Sequence, residues 1–266
     1  MTQTEHPAEQ SDEQQAAPNA TIAGQLAHRT IRAFTHEPVD EAMMRTLLRV
    51  ATQAPTSSFY QQRTVIRVQD PAVREQIHLA SGQPYVGGDR GELLVFVVDL
   101  HRNARIREAQ GADLAVLETT PLFLQGVEDV LIAAQNVVVA AESLGLGTVY
   151  LGSIGGDPRR VIRALGLPLR TFPLVGLIVG HPDQRPQLKP RLPETLTIGV
   201  DRYPDLDAQA DALAAYDERV TTYYDLRDTS RRIDSFTHQI ATKPGTGAAE
   251  QAPTLEVLHE QRLALR

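Results

Sequence analysis

Between residues 28 and 32 the chain reads His28-Arg29-Thr30-Ile31-Arg32, a ring nitrogen, two guanidiniums and a hydroxyl within five positions. In an extended segment residues 28, 30 and 32 share one face. Their donors can then converge on one anion, with arginine offering a two-pronged fork suited to a phosphate. Three further stretches carry polar groups that could complete such a site. "APTSSFYQQ" supplies hydroxyls and an amide at Thr56, Ser57, Ser58 and Gln61 after a helix end. "VYLGSIGG" puts small residues behind a strand, where backbone can approach a flat ligand closely. Lys189-Pro190-Arg191 sets two cations side by side. Each has a plain alternative: solvated or paired arginines, helix caps, a turn.

Composition narrows the ligand. The chain has 266 residues, with 42% hydrophobic and 22% charged residues, the balance of a folded globular protein. Its formal net charge is -7, which argues against a nucleic-acid binder, and a basic pocket in an acidic protein selects a small anion. There is no cysteine, which excludes disulfides, thiolate nucleophiles, iron–sulfur clusters and cysteine-based zinc sites and is compatible with a reducing cytoplasm. The eight histidines have no metal-ligand spacing. Phosphate-loop, dinucleotide-binding and nucleophile-elbow motifs are missing. The carboxylate pair Glu128 and Asp129 reads as helix surface. With no complete set of catalytic side chains, any chemistry is expected to belong to a cofactor.

The elements that must hold these residues read as follows. Residues 1–19 are polar and acidic, unlike a signal peptide, and read as a disordered tail. A helix starts near Asn19 or Thr21. Another follows Asp40 as N-cap, with Ala42, Met43, Leu47, Val50 and Ala51 at helical spacing. "RTVIRVQD" alternates like a strand, "PAVREQIHLASG" has the Pro-start, Gly-end signature of a helix, and "ELLVFVVDL" is a buried strand. The segment from about Leu122 to Leu144 is the strongest helix signal. It is apolar nearly all round, as in the spine of a domain or of a dimer interface. No run of about 18 consecutive apolar residues predicts a membrane span. "TVYLGSI" and "FPLVGLIVG" are further strands, with the capped helix "DPRRVIRALGL" between them. A polar helix covers 207–227, another spans "SRRIDSFTHQIA", and "TKPGTGAAEQAP" has the composition of a linker before a short final helix. Helices and strands mix without a regular alternation, so an α+β fold is expected. The domain should span 20–240, with 241–266 as linker and short C-terminal helix.

Taken in order, these stretches resemble the nitroreductase superfamily, in its NADPH-dependent branch of oxygen-insensitive nitroreductases and flavin reductases. "HRTIRAFTHEPV" is similar to the family's H-R-S-I-R-x-F opening, "SSFYQ" to its Ser-rich segment, and "ASGQPYV" to G-x-Q-x-x-V. "AAQNVVVAAESLGLG" resembles A-x-Q-N-x-x-x-A-A-E-S-L-G-L-G. "VYLGSI" resembles V-Y-I-G-G, and "LVGLIVGHPDQRPQLKPRLP" the L-x-G-L-x-x-G-x-P…K-P-R-L-P block. "LAAYDERVTTYY" with "RDTSRR" is similar to the family's tyrosine- and arginine-rich tail. Thr30 stands where Ser is common, which keeps the hydroxyl, and Ser153 where Gly is.

The resemblance implies a central, mainly antiparallel sheet wrapped by helices, in a homodimer with two FMN sites at its interface. His28, Arg29, Thr30, Arg32, Lys189 and Arg191 would hold the FMN phosphate and ribityl end. Ser57, Ser58 and Gln61 would reach it from the other subunit. Gln83 and the backbone of Tyr150, Leu151, Gly152 and Ser153 would line the flavin ring. Lys189 or Arg32 near the ring's N1–C2 edge would stabilise negative charge on reduced flavin. Arg227 and Arg231 would bind the 2′-phosphate of NADPH. The implied activity is hydride transfer from NADPH through FMN to a nitroaromatic, quinone, free flavin or other small acceptor in a ping-pong cycle, in the cytoplasm. A flavin-binding protein not reduced by NADPH, and a homodimer that has lost its flavin, are the competing readings.

Overall fold

A computed structural model describes residues 19–222 and 234–266. Helix α1 (Ala20–Leu26) begins at Asn19, whose side chain accepts from the Ile22 N–H. Helix α2 (Glu41–Thr52) is capped by Asp40, which accepts from Ala42 and Met43. Helix α3 (Pro71–Ser81) is capped by Asp70 and ends at Gly82 in the left-handed region, φ 62°, the termination glycine allows without penalty. Helix α4 (His101–Ala109) has no sequence signal, because only Ala104 of its nine residues is buried and an apolar stripe is what periodicity detects. Helix α5 (Thr120–Ser143) is the long helix expected from its apolar run. Asp157 caps α6 (Pro158–Leu165). The chain continues through α7 (Glu194–Thr197), α8 (Ala210–Thr221), α9 (Phe236–Thr242), α10 (Ala248–Gln251) and α11 (Thr254–Glu260). The expected tail at 1–19 lies, but for Asn19, outside the described residues.

Strands β1 (Arg63–Val68), β2 (Glu92–Asp99), β3 (Gly147–Leu151) and β4 (Thr171–Gly180) form one sheet in the order β1-β2-β4-β3, antiparallel throughout. β2 is apolar at successive positions because both its faces are covered. Leu94, Phe96 and Val98 enter one core cluster with α2, α5 and α11. Leu93, Val95 and Val97 enter the other with α3 and α6. Pro173 sits in the interior strand β4 opposite Val97, where the register shifts; such an irregularity is where a strand tolerates a residue without an N–H.

α5 lies across the first face of the sheet. Gly126 makes the approach possible, since a Cβ there would stand 2.7 Å from Val98 Cγ1. The inner side of α5, with Val130, Ala133, Ala134 and Val137, is fully buried. The outer side is not: Leu124, Leu131 and Ile132 are 50%, 46% and 40% exposed. Among the described residues α5 is the one helix long and apolar enough to cross a membrane, and its burial in the core is the competing explanation of that composition.

After residue 240 the expected final helix is α11, while the stretch expected as a linker also carries the short helix α10, and both pack on the body of the protein. Val257, Leu258 and Leu263 belong to the larger core cluster, and Arg159 holds Glu256 and Glu260 at 2.6 Å each. Ala248 packs on Gly156, where a Cβ would also meet the Ala80 carbonyl at 2.9 Å. Polar, Gly-rich composition marks weak local structure; it carries no information on these long-range contacts.

Candidate active site

The His28–Arg32 segment wraps the edge of the sheet where β3 begins and β4 ends. Thr30 forms an isolated parallel bridge with Thr148, and the Ile31 N–H donates to the Thr148 carbonyl at 2.8 Å. Ile31 fills the space over Gly147, and Phe34 that over Gly180. His28 Nδ1 lies 2.7 Å from Glu142 Oε1, which also accepts from the Thr148 hydroxyl at 2.9 Å. One carboxylate near the end of α5 therefore fixes the imidazole and the strand beside it. Glu142 is the acid of the A-A-E-S-L-G-L-G match, but the sequence reading gave it no role, since its partners His28 and Thr148 are set by the fold.

The same wrap brings in the segment that leads to Lys189. Arg29 Nε donates to the Pro186 carbonyl at 3.0 Å, and one terminal nitrogen donates to the Ala27 carbonyl at 2.7 Å. A cavity of about 570 Å³ lies here, walled by Arg29, Glu142, Gly147, Asp183 and Pro186 among others. Farther along, Arg191 donates back to the Lys189 carbonyl at 2.8 Å. α8 fastens the turn, with the Tyr216 hydroxyl donating to the Pro190 carbonyl and Arg219 to the Arg191 carbonyl.

Two buried polar atoms of the expected set, Arg32 Nε and Ser153 Oγ, have no hydrogen-bond partner among the described residues. Leaving such groups unmade is costly, so both fit a bound group that supplies acceptors. For Arg32 the matching chemistry is a phosphate.

At the far end of β3, Tyr150 to Ser153 run into a 3-10 turn over Gly152–Gly156. α3 ends against this turn, at the Ala80 carbonyl beside Gly156, and Gln83 follows, its N–H held by the Ser81 hydroxyl at 3.2 Å. The Tyr150 hydroxyl donates to Gln135 Oε1 at 3.2 Å. Burial and then the nearby Glu142 carboxylate push its pKa up to about 12, so the phenol stays neutral at working pH. The cationic end and this end are separated by the length of β3, about 15 Å for five residues. That suits an elongated ligand with an anion at one end and a ring at the other.

Ser57, Ser58 and Gln61 are elsewhere. The Ser57 N–H donates to Asp129 Oδ1 at 2.7 Å and the Gln62 N–H to Asp129 Oδ2 at 2.9 Å, while the Ser57 hydroxyl donates to Glu128 at 3.2 Å. Asp129 is fully buried, so the expectation that this acidic pair is helix surface is wrong for Asp129 and holds for exposed Glu128. The two positions point apart on the helix, and burial of the second could not be read from the pair alone. Arg63 closes the other side of the loop, giving one terminal nitrogen to the carbonyls of Ala51, Thr52 and Ala54 at 3.1, 2.9 and 3.3 Å. Burial lowers the pKa of Arg63, and the nearby Asp129 partly offsets this. Asp129 and Glu142 are thirteen residues apart on α5, about 20 Å along the axis. Within one chain, the loop therefore hangs from the middle of the helix and the His28 segment from its C-terminal end.

Arg227 and Arg231 lie outside the described residues. Among the described residues no cluster of histidine and acidic side chains could hold a metal.

Residues 26–181 match the Nitroreductase family, and residues 189–266 match the Nitroreductase family, C-terminal domain. The chain belongs to the nitroreductase family. It is 39% identical over 248 residues to an oxygen-insensitive NADPH nitroreductase of Salmonella typhimurium, covering 92% of this chain and 99% of that protein. The solved structure of the nitroreductase NfrA1 of B. subtilis superposes with a TM-score of 0.85 at 32% identity, covering 92% of this chain and all of that one. The NADPH:FMN oxidoreductase of Vibrio harveyi, solved with NAD+, superposes with a TM-score of 0.81 at 34% identity, covering 93% and 100%. The second match takes in the stretch after residue 240, in agreement with its packing into the core.

Proposed function

We propose that this protein is an FMN-dependent NADPH oxidoreductase that reduces a small acceptor such as a nitroaromatic, a quinone or free flavin. Relatives named as an oxygen-insensitive NADPH nitroreductase, an NADPH-flavin oxidoreductase and an NADPH-dependent FMN reductase support the activity and the cofactor. Bound FMN supplies the relay by which hydride from NADPH reaches the acceptor. The observation that carries the reading in this chain is the buried, unpartnered Arg32 Nε, on a segment pinned beside His28 and Arg29.

In this reading His28, Arg29, Thr30 and Arg32 hold the phosphate and ribityl end, with Lys189 and Arg191 on the neighbouring turn. Glu142 orients His28. Gln83, the Tyr150–Gly152 backbone and Ser153 line the flavin ring. Neutral Tyr150 contributes shape and a hydrogen bond rather than a proton.

The separation along α5 supports a homodimer. Leu124, Glu128, Leu131, Gln135, Val139 and Glu142 recur at spacings of three and four and share one face, and its members from Leu124 to Gln135 are exposed. A two-fold axis near Gln135 would set one copy of α5 antiparallel against the other and bring Asp129 of one beside Glu142 of its mate. Ser57, Ser58 and Gln61 would then reach the flavin held by the other subunit. A cytoplasmic location fits a cysteine-free enzyme that draws on NADPH.

The test is an absorption spectrum of purified protein, supplemented with FMN, before and after anaerobic addition of NADPH. Loss of the flavin absorbance within seconds supports the assignment. A flavin spectrum that NADPH leaves unchanged favours a flavin protein with another donor. Protein that takes up no FMN removes the cofactor assignment. For the donor site, Arg227→Ala is expected to raise the KM for NADPH about tenfold and leave that for NADH nearly unchanged, as loss of a guanidinium–phosphate contact requires. Equal effects on both would remove the 2′-phosphate role.

A further inference from the structure

The Ser57–Gln61 loop is built against its own backbone preference. Ser58, Phe59 and Gln61, none of them glycine, have φ values of 53°, 60° and 52°. Each such conformation is unfavourable for a residue with a Cβ, and three close together persist only where the surroundings over-determine them. Burial of the loop's own side chains is not the compensation: Phe59 is 82% and Tyr60 54% exposed. The compensation comes from outside the loop. Asp129 takes the N–H on each side of the left-handed run, at Ser57 and at Gln62. Arg63 ties off the carbonyls at the end of α2 just before it, and Asn103 donates to the Tyr60 carbonyl at 3.3 Å. A fully buried carboxylate is thus committed to two backbone donors that bracket a segment presented to solvent. Such construction holds a shape for something outside the protomer.

We infer that Asp129 is the positioning residue of the flavin site, fixing the 57–61 loop so that its hydroxyls and amide meet the flavin held by the other subunit. The inference rests on the proposed FMN function. Asp129 touches no ligand itself; it acts through the two N–H groups it accepts. Each site would then depend on two carboxylates of α5 from different chains, Asp129 behind the loop and Glu142 behind His28.

Asp129→Asn keeps the shape but replaces one accepting oxygen with an NH2 that faces a backbone N–H. The expected result is an FMN Kd at least tenfold above wild type by fluorescence titration, and altered visible circular dichroism of the bound flavin. An FMN Kd equal to wild type would overturn the inference. Should Asp129→Asn fail to fold, Ser57→Pro removes one of the two donors. The preceding Thr56 already has the extended backbone (φ -138°, ψ 147°) that a following proline requires. Ser57→Ala, which removes only the hydroxyl, is its control. Ser57→Pro should weaken FMN binding at least fivefold beyond Ser57→Ala, and equal effects would overturn the inference.

A mixed dimer separates positioning from general damage. One subunit carries Asp129→Asn and the other Arg32→Ala, with different tags for purification. If the loop serves the other subunit's flavin, one site collects both defects and the other has none, so half the sites bind FMN with wild-type affinity. A preparation with no wild-type sites would overturn the inference. Wild-type protein that takes up no FMN is a different result, and it would sink the cofactor reading itself.

Discussion

The two halves of the candidate site are built by opposite means. The His28–Arg32 segment rests on ordinary backbone pairing at a sheet edge, through the Thr30–Thr148 bridge and the Ile31 N–H. Its strain is low, and in the proposed site its side chains would be the working parts. The Ser57–Gln61 loop has no regular pairing, three left-handed non-glycine residues, and two buried charged side chains holding it from behind. The first half is specified by the residues it displays; the second by residues it hides. Substitutions in the first should damage binding and spare stability, and substitutions behind the second should damage stability first.

The largest expected effect is at Arg63. Arg63→Met removes the donor to three carbonyls and leaves buried Asp129 without the neighbouring cation. Leaving these carbonyls without their donor costs about 1–3 kcal/mol each where they are buried, which chemical denaturation of the FMN-free protein would register as a lowered midpoint. A loss below about 1 kcal/mol would mean that the loop is held by other contacts. Next is Arg32→Ala, which should leave the denaturation midpoint nearly unchanged. It should weaken FMN binding roughly 10- to 100-fold, the equivalent of about 1.5–3 kcal/mol for a charge-assisted contact. A stability loss without a binding loss would reverse the contrast between the two halves. The smallest is Tyr150→Phe, which removes one hydrogen bond to Gln135 and should cost about 0.5–1.5 kcal/mol.

The pH dependence of Tyr150 sharpens the same contrast. Burial raises its folded pKa to about 12, above the ordinary value of about 10. The neutral phenol is thus favoured by folding. Its contribution is fully present below pH ~10 and is lost as pH rises through about 12. Ultraviolet difference titration should show a tyrosine ionising near pH 12, and Tyr150→Phe should remove that component.

Much of the first half was legible in the residues. The His28–Arg32 cluster, the Gly-rich turn after β3 and the Lys189–Arg191 pair are all contiguous, and contiguous donors on an extended segment can be read as a ligand-facing edge. The strand at Glu92–Asp99 and the long helix α5 were legible because apolar periodicity reports burial directly. Asp129 and Glu142 were not. Each lies in a helical pattern where an acid normally means surface, and each is committed to partners far along the chain, 67 to 114 residues away for the contacts with Gln62 and His28. α4 escaped because its exposed, charged sequence carries no stripe. The short final helix was legible, but its packing was not: Val257, Leu258 and Leu263 close the larger core through contacts with segments far away in the chain.

The sequence by itself determined the α+β class, most element positions, the family and the chemical types present at the site. It does so because backbone preference, helix caps and hydrophobic pattern act over a few residues and leave their mark locally. Tertiary structure alone decided that one helix carries both halves of the candidate site about 20 Å apart and that a buried aspartate holds the strained loop. It also decided that the C-terminal stretch belongs to the core. These are contacts between segments distant in sequence, and their free energy comes from burial and charge pairing that exist only once the chain has folded.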